Sequence, residues 1–204
     1  MRLVVENLAA ERGDRAVFAG LSFVVNVGTL LRVSGGNGAG KTTLLRILAG
    51  LAAASDGSAA WYRADSMASP AEAASFVGHA NALNDALTVL ENLTYAAALA
   101  DSDASARHIG AALDAFGVKS LTHRRFGTLS QGQRKRCSLA RLLLDSRSGR
   151  RAWLLDEPFV ALDVDTQVQL AVVISAELAA GGLVIYTSHQ AVEINAANTQ
   201  EISL

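Results

Sequence analysis

The eight residues Gly35–Thr42 read GGNGAGKT, a G-x-x-x-x-G-K-T run, with the apolar stretch Leu30–Ser34 before it and the amphipathic TLLRILAGL after it. Glycines at 35, 36, 38 and 40 let a backbone take left-handed turns and bring its N–H groups against phosphate oxygens with no Cβ in the way. The positive end of the following helix adds to that cradle. The expected phosphate site is therefore Gly35, Gly36, Asn37, Gly38, Ala39, Gly40, Lys41, Thr42 and Thr43. In it Lys41 neutralises the β- and γ-phosphates and the Thr42 hydroxyl is a ligand for Mg²⁺.

A second constellation lies in RRAWLLDEPFVALD, where an apolar run ends in Asp156 and Glu157 and Pro158 stops it. Ligands of open α/β sheets bind at the carboxyl ends of the strands, so this acidic pair is expected to face the phosphate loop. Asp156 then helps to hold Mg²⁺. Glu157 polarises the attacking water, because hydrolysis needs a nucleophile in line with the γ-phosphate. Taken alone, a strand-terminal Asp-Glu is usually a solvated helix or turn start. Beside a phosphate loop, the glutamate points to hydrolysis, since kinases and switch GTPases use that loop without it.

Between the two sites stands LSQGQRKRCSLARLLL, where Ser130 can cap a helix and Gln133 can complete a capping box. With LSQGQ ahead of WLLDEP, and an ALD at Ala161–Asp163, the chain resembles ATP-binding cassette (ABC) proteins over almost its whole length. That resemblance implies a head-to-tail homodimer in which Ser130, Gly132 and Gln133 of one copy touch the γ-phosphate of ATP held by the other. It also implies that His189, after the strand LVIYTS, is a switch histidine that contacts the γ-phosphate and holds Glu157. Lys41, Glu157 and His189 are then the catalytic set.

Two positions depart from the family pattern. The glutamine that usually precedes an L-T-x-x-E-N-L segment by eight residues is replaced by His79, counting back from Leu87. A neutral imidazole can still accept a hydrogen bond from water, which places His79 with Thr42 and Asp156 in the expected metal set, whereas a protonated ring repels Mg²⁺. The aromatic ring that the family sets against adenine is replaced by Arg12. A guanidinium can stack on a base, which implies loose base selectivity, and Phe18 is expected in the core.

These departures, with GNGAGKTTLLRILAGL, the Gly78–His79 pair, LTVLENL and TSHQ, are similar to one branch of the family, the ATP-binding subunits of cytochrome c maturation haem exporters. As the resemblance implies, such a subunit sits peripherally on the cytoplasmic face of the inner membrane. It pairs with an integral membrane subunit of the CcmB type and a CcmC-like partner, and its ATP hydrolysis helps to release a haem-loaded chaperone. The other readings are the ATPase of a different ABC exporter, a soluble clamp, or a regulatory module with little turnover.

The elements that must position these residues follow from the apolar periodicity. Strands are expected at Leu3–Val5, Leu21–Val25, Leu30–Ser34, Ala152–Asp156 and Leu183–Ser188, the last two continuous enough to be buried on both faces. Helices are expected after Lys41 and over roughly 89–100, 104–116, 130–145 and 164–180. This is an α/β chain: a P-loop NTPase domain over 1–204 with a parallel-sheet core and a helical subdomain at about 80–130 inserted in it. The resemblance adds an antiparallel β segment. Ala-rich stretches at 52–54, 71–74 and 96–98 read as helix-compatible, and His108 and His123 as surface.

Lys and Arg number 18 against 19 Asp and Glu, a net charge of −1 that gives no general pull on nucleic acid or anionic lipid. No apolar stretch reaches the roughly 20 residues of a spanning helix. Glu6, Glu11 and Asp14 interrupt the amino terminus, so a secretion leader is not expected there. The one cysteine, Cys137, cannot form an internal disulfide and is expected to be a buried hydrophobe. Lys41→Ala is expected to weaken nucleotide binding about tenfold or more, the order of a lost charge-assisted contact, in an equilibrium titration with a fluorescent ATP analogue.

Overall fold

Strands buried on both faces must be covered by helices on both sides, and that requirement organises the chain. A computed structural model describes residues 1–13, 15–78, 82–100, 102–144, 152–189 and 192–204. Every residue of β7 (Ala152–Leu155) and β8 (Leu183–Thr187) is buried. They lie inside a parallel sheet of order β6-β7-β8-β3-β9, completed by β6 (Ala74–Val77), β3 (Thr29–Ser34) and β9 (Asn198–Ser203). The register sets Val33 beside Thr187 and Leu155 beside Tyr186, so three strands end at one level.

The second sheet is antiparallel, of order β2-β1-β4-β5: β2 (Arg15–Asn26), β1 (Arg2–Arg12), β4 (Asp56–Arg63) and β5 (Ser66–Ala68). Helix α1 (Lys41–Leu48) fills the space between the sheets. Its Leu44, Leu45 and Leu48 join Leu3, Val5 and Trp61 of the antiparallel sheet to Leu31, Val33, Leu154 and Ile185 of the parallel one. The Trp61 indole N–H donates to the Leu48 carbonyl at 2.8 Å, pairing a buried donor with a carbonyl that the helix end leaves open.

The opposite face of the parallel sheet is covered by helices. After the short α2 (Pro70–Ala73), α3 (Val89–Leu99), α4 (Ala106–Asp114) and α5 (Gln131–Ala140) lie in sequence between β6 and β7, and α6 (Val164–Ala179) precedes β8. Leu93, Ile109, Leu113, Phe116 and Phe126 pack with Trp153, Leu155, Leu170 and Ile174. Side-chain oxygens of Thr88, Ser105, Ser130 and Asp163 cap α3, α4, α5 and α6, each accepting a backbone N–H of the first turn. Cys137 is buried in α5, and burial pushes its thiol up to about 12. No described helix is long and apolar enough to cross a membrane.

The structure adds four strands that apolar periodicity does not announce. β4 contains Gly57, Ser58, Ala59 and Ala60 and gains its place by pairing with β1; β9, mostly exposed, is held by pairing with β3. Short β5 hangs on β4, and β6 follows the first turn of a helix within the Ala-rich 71–74 stretch. Residues 52–54 form no helix, and His108 is half-buried with its Nε2 enclosed and unpaired among the described residues. The helix expected to 145 tightens into a 3₁₀ turn at Arg141–Leu144.

At the β1–β4 crossing, Asn7 (φ +48°) breaks the register of β1, and Gly57 (φ +74°) faces it. A Cβ on Gly57 would overlap the carbonyls of Glu6 and Asn7. Gly57→Ala is expected to lower unfolding stability by about 2 kcal/mol in urea titration, since neither backbone strand can retreat.

Candidate nucleotide site

Three loops leave the carboxyl ends of neighbouring strands: the phosphate loop after β3, the acidic turn after β7 and the histidine after β8. Gly40 (φ +102°) turns the chain into α1 and caps it. A Cβ there would overlap Val17 Cγ1 and stand 3.0 Å from Phe18 Cδ1, so the β2 segment is docked directly on the loop. Lys41, almost fully buried, donates from Nζ to the carbonyls of Gly35 and Gly36, both at 2.9 Å. The cation is thus held over the glycine loop.

Asp156 is 1% exposed. Its Oδ2 accepts from Thr42 Oγ1 at 2.8 Å and its Oδ1 from Thr187 Oγ1 at 2.9 Å. Thr187 Oγ1 in turn accepts the Glu157 backbone N–H at 2.8 Å, and the Asp156 N–H donates to the Val77 carbonyl at 2.8 Å. Glu157 (φ +47°) is left-handed, as is Ala161 (φ +63°), conformations a side chain disfavours and which surrounding bonds must hold.

His189 Nε2 lies 3.1 Å from Glu157 Oε1 and 3.4 Å from Lys41 Nζ. One ring nitrogen cannot donate to the carboxylate and accept from the ammonium at once. The shorter contact assigns its N–H to Glu157, so the imidazole orients that carboxylate. Lys135 of α5 is buried nearby: desolvation pushes its ammonium down, while Asp156 and Glu157 act to hold it up.

Lys41, Thr42, Asp156, Glu157 and His189 are therefore brought together. A cavity of about 230 Å³ beside them is lined by Arg12, Val17, Asn37, Gly38, Gly40, Lys41, Thr42, Thr43 and Glu157. Ser130, Gly132 and Gln133 do not line it. They form the start of α5, where Ser130 Oγ accepts the Gln133 N–H at 3.3 Å and Gln133 Oε1 accepts the Ser130 N–H at 3.1 Å, closing the capping box. Gly132 faces the acidic turn: a Cβ on it would stand 3.2 Å from the Ala161 carbonyl oxygen. His79 lies outside the described residues.

Thr187 is the functional residue that sequence reasoning missed. Its signal was a hydroxyl ending an otherwise apolar buried strand, LVIYT, one position before the Ser188–His189 pair. The oxygen donors of Thr42 and Asp156 suit a hard cation such as Mg²⁺, which takes few protein ligands. The arrangement can grip a phosphate chain and set a carboxylate near its end.

The ABC transporter family model matches residues 18–160. The chain is 42% identical over 213 residues to the cytochrome c biogenesis ATP-binding export protein CcmA of Dechloromonas aromatica, covering 99% of each. To the protein of that name from Aromatoleum aromaticum it is 46% identical over 191 residues, 92% of this chain and 88% of the relative. An ABC transporter ATP-binding protein from Pyrococcus furiosus superposes with a TM-score of 0.81 at 23% identity, over 98% and 97% of the two chains. A dimeric ATP-binding cassette bound to ADP and Pi gives 0.79 at 20% identity, over 92% and 88%. Thr187→Val, which removes the hydroxyl but keeps the shape, is expected to cost about 1–3 kcal/mol of stability in urea titration and to lower phosphate release, because Asp156 and the Glu157 N–H both lose a partner.

Proposed function

The chain belongs to the ABC transporter family, and from that membership we propose that it powers cytochrome c biogenesis as the ATP-hydrolysing subunit of a haem exporter. The observation that carries this reading is the convergence of Lys41, Thr42, Asp156, Glu157 and His189 at the carboxyl ends of three neighbouring strands, in a chain that aligns over 99% of its length with a relative of that name. ATP lies with its phosphates on Gly35–Thr43, where backbone N–H groups and Lys41 take up their charge. Thr42 and Asp156, whose oxygens meet at 2.8 Å, would hold Mg²⁺. When bound, the cation screens the charge on the phosphates.

Glu157 accepts the proton of the water that attacks the γ-phosphorus, and His189, its N–H on Oε1, keeps that carboxylate aimed. Ser130, Gly132 and Gln133 close the site from a second copy. Their separation from the phosphate-loop cavity within one chain supports that arrangement. The capping box leaves the first turn of α5 ordered, with its positive end toward solvent, a ready partner for a γ-phosphate. The dimer docks peripherally, on the cytoplasmic face of the inner membrane, against an integral subunit of the CcmB type with a CcmC-like partner. Closure on ATP and opening after hydrolysis move that subunit.

Glu157→Gln is expected to retain ATP, accumulate the closed dimer in size-exclusion chromatography and slow phosphate release about 10²-fold or more, the span of a lost general base. Unchanged turnover removes Glu157 from that role. Deleting the gene is expected to abolish covalent haem staining of c-type cytochromes. Normal staining overturns the biogenesis assignment while leaving the ATPase reading intact.

A further inference from the structure

Three consecutive cations, Arg134, Lys135 and Arg136, follow the capping box of α5, and none of them lines the phosphate-loop cavity. Two are spent on neighbouring turns. Arg134 donates from Nε to the Leu129 carbonyl at 3.1 Å and from Nη2 to the Gly127 carbonyl at 2.6 Å, and its Nη1 lies 3.3 Å from Asp85 Oδ1. Arg136 attracts the carboxylate of Asp163, which caps α6. Lys135 goes the other way, into the protein. It is 5% exposed, and the opposite charges that act on it are those of Asp156 and Glu157.

The helix is placed so that this cation meets the acids. Gly132 and Lys135, three residues apart, share a face of α5. A Cβ on Gly132 would stand 3.2 Å from the Ala161 carbonyl oxygen, so that face lies on the turn running from Asp156 through Ala161. Lysine is seldom buried unless paired. Desolvation here pushes the ammonium below the usual lysine range, and the two acids only partly offset it. A lowered lysine value means that the charge is less favoured in the folded chain than in the unfolded one. The ammonium therefore works against the fold at every pH below that lowered value. A buried charge that is kept at a cost to stability, facing the acid pair of a site, points to function.

We propose that Lys135 is a positioning residue for the hydrolysis: its buried ammonium draws the Asp156–Glu157 turn against α5 and fixes the Glu157 carboxylate relative to that helix. The inference rests on the ATPase reading above and deepens it. Ser130 and Gln133, assigned there to the γ-phosphate of the other copy, stand on the same helix, five and two residues before Lys135. The acid of one site and the phosphate contact of the other are thus carried by one rigid element.

The test is steady-state phosphate release by the full chain with Mg²⁺ and ATP, beside titration with a fluorescent ADP analogue and urea unfolding. Lys135→Met removes the charge and keeps most of the stem. It is expected to lower kcat about tenfold or more, the span of a lost outer-shell partner. Affinity for the analogue is expected to stay within about twofold, because the phosphate loop is untouched. Its urea midpoint is expected to hold or rise. Lys135→Arg, which keeps the charge, is expected to recover most of the turnover. In a Glu157→Gln background Lys135→Met is expected to slow the residual turnover no further, since residues that act as a unit do not add.

Wild-type kcat in Lys135→Met overturns the proposal. So does a lowered urea midpoint, a loss of analogue affinity as large as the loss of kcat, a stable Lys135→Arg variant as slow as Lys135→Met, or further slowing in the Glu157→Gln background. Wild-type turnover by Glu157→Gln alone overturns the ATPase reading, and this inference with it.

Discussion

A buried carboxylate cannot remain charged without donors, and the site is built around meeting that demand for Asp156. Its two oxygens are met by hydroxyls from different parts of the chain, Thr42 at the start of α1 and Thr187 at the end of β8. These bonds hold only if β7, β8 and β3 end at one level, which the parallel register provides. The donors are hydroxyls, and among the described residues no guanidinium or ammonium is bonded to this carboxylate. A carboxylate met in that way is left able to attract a divalent ion.

The same network sets the conformation of the neighbouring acid. Glu157 holds a left-handed backbone that costs on the order of 1 kcal/mol, and the bond from its N–H to Thr187 Oγ1 helps to fix it there. That twist turns its side chain toward His189 and the phosphate-loop cavity. The strain is thus tied to the placement of that carboxylate. Packing supports the network from both sides: α1 wedges between the two sheets, and α3 to α6 cover the opposite face.

Much of this was legible in the residues. The continuous apolar runs of β7 and β8, the glycine spacing before α1 and the Ser130–Gln133 box each carry a local physical signature, and each formed the element expected of it. The four strands that escaped notice, β4, β5, β6 and β9, are short or interrupted by Gly, Ser, Ala and polar residues and exist through pairing with β1, β4, β7 and β3. Thr187 escaped for a related reason: a threonine in a strand is ordinary until the register reveals which carboxylate lies beside it. Arg12 departs from the family pattern, but its place on the cavity wall depends on how Val17 and Phe18 of β2 dock against Gly40, a long-range contact that no local pattern encodes.

The buried sulfur of α5 has a practical bearing. Cys137 is the single cysteine of the chain, and its thiol is almost wholly protonated at neutral pH. Maleimides and disulfide-forming reagents therefore find the native molecule nearly silent. A cysteine introduced at an exposed position can carry a spectroscopic label or a cross-link with little background, and movement between two copies can be followed without first removing the natural thiol.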